Sequence, residues 1–298
     1  MKYRGELNTE QQNSSSKQID TLSTRNILSL INDEDEKISH AVKLAIPTIE
    51  KTVDLTVQSI KSGGRIFYVG AGTSGRLGVL DASEIPPTFS SKDDLFIGII
   101  SGGDEALRKS IEGAEDKKEL AIQDLKKFNI NDKDTVIGIS CSGAALYVVS
   151  ALEFAKNRNA KTVYIITNPK PFHKIEVNVL IQVDTGPEII TGSTRMKGGT
   201  ATKMVLNMIS TVTMIKLGKV YGNLMVDLKA VNDKLVDRGT RIISDITGLK
   251  YENAKQKLFD ANKSVKTAIV MEVMECSYEE ALKILKKESG LLRKIIEK

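Results

Sequence analysis

The densest run of potential chemistry lies at Val69-Gly-Ala-Gly-Thr-Ser-Gly-Arg76. Gly70, Gly72 and Gly75 let a backbone turn tightly and come close to a ligand, and Thr73 and Ser74 add hydroxyl donors. Where such a loop opens a helix, the free N–H groups and the positive end of the dipole complete an anion site that needs no metal. The spacing also matches the dinucleotide fingerprint G-x-G-x-x-G, but no acidic residue clearly ends the next strand to hold a ribose. The hydroxyl pair favours a single phosphate. Ser140-Cys-Ser-Gly143 is a second loop of the same kind. Gly72, Thr73, Ser74, Gly75 and Arg76, with Ser140, Ser142 and Gly143, are therefore candidate phosphate ligands.

Two carboxylate clusters could move protons. Glu84 precedes Ile85-Pro86-Pro87, and two prolines are expected to end a helix that starts near Gly75. A glutamate at a helix C-terminus has its charged form disfavoured, which suits a general acid; an exposed glutamate on a last turn is the other reading. In Ser110-Ile-Glu-Gly-Ala-Glu-Asp116, Gly113 interrupts a helical pattern beside Glu112, Glu115 and Asp116. Close approach to a ligand is one reading, and a solvated acidic face is the other. Downstream, Glu188 leads into Thr191-Gly-Ser193-Thr-Arg195-Met-Lys197 at an expected helix start. Cations there oppose the dipole unless an anion such as phosphate is close. A capped helix carrying surface bases is the alternative.

The elements that must position these residues can be read from periodicity. Five short apolar runs, at Arg65–Val69, Leu95–Ile100, Thr135–Ser140, Thr162–Thr167 and Val177–Val183, alternate with helical segments. Their lack of polar alternation suits strands buried on both faces, hence a doubly wound parallel α/β sheet. Helical spacing precedes them at Ile27–Ile31 and Ala41–Ile60. Residues 8–24 are polar and weakly periodic, either a loose tail or an arm that orders against a partner. Three helices are expected near Tyr251–Asn262, Val265–Met274 and Tyr278–Lys287, the last with a capping box at Ser277 and Glu280.

Composition narrows the function classes. The 298 residues are 41% hydrophobic and 27% charged, with 43 Lys+Arg against 38 Asp+Glu giving a formal net charge of +5. The charges are interspersed, which argues against a nucleic-acid partner. Two widely separated cysteines, Cys141 and Cys276, suggest a reducing, cytoplasmic setting without a disulfide framework. The first residues lack a signal-peptide core, and no apolar run would span a membrane. With only His40 and His173, neither a histidine metal site nor a Ser-His-Asp triad is expected.

Taken together, these segments resemble the N-acetylmuramic acid 6-phosphate etherases, a family with the sugar-isomerase (SIS) fold. The match runs nearly end to end, through Leu7-Asn-Thr-Glu10, Ile31–Asp35, Gly70–Glu84 with Pro86-Pro87, Glu112–Asp116, Gly186-Pro-Glu188, Thr191–Lys197 and Gly222–Asp227. The resemblance implies an N-terminal arm and helix over residues 1–50, an SIS domain over 51–240 and a small helical domain over 241–298. It implies Glu84 as proton donor and Glu115 as second catalytic carboxylate, no cofactor, and a homodimer with shared sites. Its substrate class would be a phosphorylated amino sugar. One departure stands out: after Ser142-Gly143 the family usually carries arginine-threonine-proline, where this chain has Ala144-Ala145-Leu146. A non-catalytic sugar-phosphate sensor on the same fold is the main rival, followed by an aldose–ketose isomerase.

Overall fold

The computed structural model describes residues 3–228 and 230–297. They form two compact units, one built from the chain up to Ser83 and from Asp94–Ser210, the other from Glu84–Asp93 and from Thr211 onward.

The first unit begins with an arm of four short 3-10 turns between Arg4 and Thr21. This arm is tied to its own chain. Thr9, Asn13 and Ser16 are buried; the Thr9 carbonyl accepts from the Gly192 N–H at 3.0 Å, and the Ser16 hydroxyl donates to the Ile189 carbonyl at 2.7 Å. The expectation of a loose tail is thus corrected, because these polar side chains satisfy loop carbonyls and are not left to water.

One helix, α1 (Thr24–Lys61), replaces the two expected segments. Ile38, Val42, Ala45, Ile49 and Val53 recur at three- and four-residue steps and are buried along one stripe. Pro47 interrupts neither, since it lies on the exposed face, where the carbonyl it leaves unpaired meets water. Five parallel strands follow: β1 (Ile66–Gly70), β2 (Phe96–Ile100), β3 (Thr135–Ile139), β4 (Lys161–Ile166) and β5 (Val179–Gln182). They lie in the order β2-β1-β3-β4-β5, in register from Ile66 beside Phe96 and Thr135. Helices α2 (Gly72–Phe89), α3 (Lys118–Lys126) and α4 (Leu146–Lys156) connect strands, and α5 (Lys197–Lys216) follows the sheet. Phe67, Val69, Tyr147, Val148, Leu152 and Tyr164 are among the side chains of the sheet's core.

Two expectations about local structure are overturned. Helix α2 does not stop at its prolines but runs on to Phe89, with Pro86 and Pro87 inside it. The bonds lost to proline are outweighed by the last turn's burial of Ile85 and Phe89. Glu84 is therefore not at a helix C-terminus, and the dipole argument for it fails. Residues 104–116 are not an interrupted helix but two 3-10 turns, Asp104–Leu107 and Ala114–Asp116. Between them Gly113 takes φ of 70°, a conformation that stops helix propagation.

The second unit holds α6 (Asp233–Thr247), α7 (Tyr251–Asp260), α8 (Val265–Val273), α9 (Tyr278–Lys287) and α10 (Arg293–Ile296). Ile243, Leu258, Val265, Ile269 and Ala281 are fully buried in its core. Its helix ends follow the local code: Asn232 and Ser264 cap α6 and α8, and Gly248 closes α6 in the left-handed region. The Ser277–Glu280 capping box is formed in full. Replacing Ser277 by alanine is expected to destabilise this unit by about 1 kcal/mol, measured as a lower urea midpoint with unchanged slope.

Candidate active site

The strand order reverses between β1 and β3. The chain leaves β1 toward β2 and leaves β3 toward β4, so the loops after β1 and β3 part and open a crevice at the carboxyl edge of the sheet. Both hydroxyl-rich loops lie at this switch point.

Glycine builds the first loop. A Cβ on Gly75 would sit 2.6 Å from Ile100 Cγ1 and 2.8 Å from the Gly70 oxygen, so the start of α2 can press against β1 only without side chains there. Gly72 takes φ of 53°, which turns the chain from strand to helix. This brings Thr73 and Ser74 to the crevice at the start of α2. Ser74 is buried, its hydroxyl 3.7 Å from Cys141 Sγ on the second loop. In that second loop Gly143 takes φ of 72°, its N–H donates to the Ser140 carbonyl at 3.1 Å, and the Ala144 N–H donates to Ser142 Oγ at 3.2 Å.

A cavity of about 290 Å³ lies over these loops. Of the predicted ligands, Gly72, Thr73, Ser74, Ser140 and Ser142 line it, and so does Glu115, which the Gly113 turn exposes. The residues of the departing segment, Ala144 and Ala145, are also on its wall. Ala145 precedes α4 without a side-chain cap, so the segment expected to depart from the family falls on the pocket surface. Hydroxyls, helix-start N–H groups and the Glu115 carboxylate together can hold an anion and move a proton beside it.

The remaining predicted residues lie elsewhere. Gly75 and Gly143 shape the loops, and Arg76 donates to the carbonyls of Leu107 and Lys109 at 3.3 and 2.9 Å. Glu188 is fully buried; its carboxylate accepts the N–H groups of Lys197 and Gly198 at 2.9 and 2.8 Å. Burial pushes the Glu188 carboxyl up, with these two bonds opposing it. Lys197 Nζ donates to Glu34 at 2.7 Å, with both side chains nearly inaccessible. The anion at the start of α5 is thus Glu188, a correction to the expected phosphate. Glu188 and Lys197 brace the loop from beneath because burial permits neither charge to go unpaired. Ser193 and Arg195 sit on that loop but not on the cavity wall, where Gly192 and Thr194 appear instead. Glu84 is exposed on α2, twelve residues after Gly72 and so about 18 Å along the helix axis.

Arg4 and Glu10 were missed as site residues, and both line the cavity from the arm. Arg4 also reaches Asp116 at 3.6 Å, beside Glu115. The sequence signal for Glu10 is the family-like Leu7-Asn-Thr-Glu10; Arg4 lies outside it, and nothing local places a weakly periodic polar arm over a sheet end.

Residues 48–156 match the family described as the glucokinase regulatory protein N-terminal SIS domain. Among solved structures, a phosphoheptose isomerase from Neisseria gonorrhoeae superposes with a TM-score of 0.50 at 15% identity, covering 64% of this chain and 99% of that one. That likeness supports the fold alone. Similarity over the whole length is found with N-acetylmuramic acid 6-phosphate etherases from Bacillus cereus and Bacillus anthracis, each 47% identical over 97% of this chain and 99% of the relative. On that similarity the chain belongs to the N-acetylmuramic acid 6-phosphate etherase family.

Proposed function

We propose that this protein cleaves the D-lactyl ether of N-acetylmuramic acid 6-phosphate, yielding N-acetylglucosamine 6-phosphate and D-lactate for cytoplasmic recycling or catabolism of cell-wall sugar. The observation that carries this reading is the cavity at the sheet's switch point, where Thr73, Ser74, Ser140 and Ser142 share a wall with Glu115. A sugar phosphate held by its phosphate on the hydroxyl loops presents its carbon chain to that carboxylate.

The opened sugar carries an aldehyde at carbon 1, which acidifies the proton on carbon 2. Glu115 takes that proton, and the electron pair passes through the enolate to break the bond between carbon 3 and the lactyl oxygen. Glu84 gives the departing oxygen its proton, leaving an unsaturated aldehyde and D-lactate. Water then adds at carbon 3, its proton returning to Glu84, while Glu115 reprotonates carbon 2. The aldehyde is the electron sink, so carboxylates suffice. Glu84 is not among the residues that line the cavity, and in this reading a partner in a homodimer supplies the acid to each pocket.

Purified protein incubated with N-acetylmuramic acid 6-phosphate is expected to release D-lactate and N-acetylglucosamine 6-phosphate in equal amounts. Saturable substrate binding with no lactate would overturn the enzyme reading in favour of a sugar-phosphate sensor, a role suggested by the match to the regulatory protein's domain.

A further inference from the structure

Beyond the phosphate loops, a second cavity of about 240 Å³ adjoins the first. Ala71, Gly72 and Glu115 line both, so Glu115 stands on the wall they share. The second cavity differs in chemistry. Arg76 lies on its wall, with Nε and Nη2 fixed by the carbonyls of Leu107 and Lys109. That leaves Nη1 with no acceptor among the described residues, on a guanidinium whose plane is already set. The N–H groups of Ile111, Glu112 and Gly113 likewise meet no acceptor among the described residues; all three residues line this cavity, and Gly113 is left-handed. Glu112 also lines this cavity, and its carboxylate accepts from the Ser110 hydroxyl at 2.8 Å.

An anion is thus expected on each side of Glu115, and the substrate of the proposed reaction has two: the phosphate on carbon 6 and the lactyl carboxylate on carbon 3. Between them lie carbons 2 and 3, where the proton is lost and the ether breaks. We propose that the cavity walled by Arg76 and the 111–113 turn is the seat of the lactyl carboxylate, with Arg76 as its specificity-determining contact. This rests on the etherase reading and deepens it. A charge-assisted hydrogen bond from Nη1 to the carboxylate orients the leaving oxygen as well as binding it. It also selects a 3-O-lactyl sugar over an unsubstituted one.

The test compares N-acetylmuramic acid 6-phosphate with its 3-O-ethyl counterpart, which keeps the ether and the acidic carbon 2 but lacks the carboxylate. The wild type is expected to prefer the lactyl ether by about 10- to 100-fold in kcat/KM, the range of one charge-assisted contact. Arg76→Met is expected to erase most of that preference, and Arg76→Lys to keep part of it. Because both substrates share every other contact, a general disturbance of the 104–109 wall lowers both rates and cancels in the ratio. A wild type that treats the two ethers alike would overturn the proposal without any variant. So would an Arg76→Met protein that loses both activities equally. Release of neither lactate nor ethanol by the wild type would overturn the etherase reading itself.

Discussion

Replacing Glu115 with glutamine will lower the rate of lactate release by about 10²- to 10⁴-fold, the usual contribution of a positioned general base. The side chain is exposed on the turn after Gly113, so the variant will keep its thermal midpoint, and lost activity will report chemistry. Substrate binding will be nearly unchanged, because glutamine fills the same space and the phosphate loops are untouched. The same exchange at Asp116, whose carboxylate faces Arg4 at 3.6 Å, will leave turnover near the wild-type value. This pair of variants separates Glu115 from neighbours that local sequence leaves equally available. Normal activity in the Glu115→Gln protein would move the base elsewhere on the wall, with Glu10 the first residue to test.

The largest effect on stability is expected at Glu34. Its carboxylate accepts from Lys197 Nζ at 2.7 Å and from Asn13 at 2.9 Å, with Lys37 as a third donor. Burial pushes this carboxyl up, but the three donors and the charge of Lys197 outweigh it and hold Glu34 at about 2, against an ordinary 4.5. Glu34→Leu strands the Lys197 ammonium in the interior, and breaking a buried pair in this way costs about 3–5 kcal/mol. The double variant Glu34→Leu/Lys197→Met removes both charges and is expected to recover most of the loss. Since the folded value lies below the unfolded one, the contribution is complete above about pH 4.5 and drains as the pH falls toward 2. The gap in urea midpoint between the wild type and Glu34→Gln is therefore expected to be widest near neutrality and to narrow below pH 4. A gap that stayed constant with pH would mean that Glu34 is not held ionised by these partners.

The same pair shows where sequence reading stops. Residue type alone marks Lys197 as a cation at a helix start, in need of an anion, and phosphate is the reasonable local answer. The actual partners are Glu188, nine residues back, for the helix N–H groups, and Glu34, on α1, for the ammonium. No local pattern relates positions 34 and 197. By contrast, the five strands fall within one or two residues of their expected limits, because burial on both faces leaves an uninterrupted apolar run. Helices α7, α8 and α9 are similarly legible from their apolar spacing, the last also from its capping box. The end of α2 departs from its local code because proline's local cost is outweighed by burial of Ile85 and Phe89, a tertiary effect. The two hydroxyl loops could be found from composition and glycine spacing, since a phosphate site of this kind is made of backbone and short side chains. The arm's Arg4 and Glu10 could not, because their place depends on Thr9, Asn13 and Ser16 docking against loops more than 150 residues away.

The proposed reaction is elimination of lactate followed by addition of water, with a carboxylate exchanging the proton on carbon 2. The most direct test is one reaction with N-acetylmuramic acid 6-phosphate in deuterium oxide enriched in oxygen-18. The sugar product is predicted to carry deuterium at carbon 2 and the heavy oxygen at carbon 3, while the released D-lactate carries no heavy oxygen in its hydroxyl group. Product with the original hydrogen at carbon 2, or heavy oxygen in the lactate hydroxyl, would contradict the account.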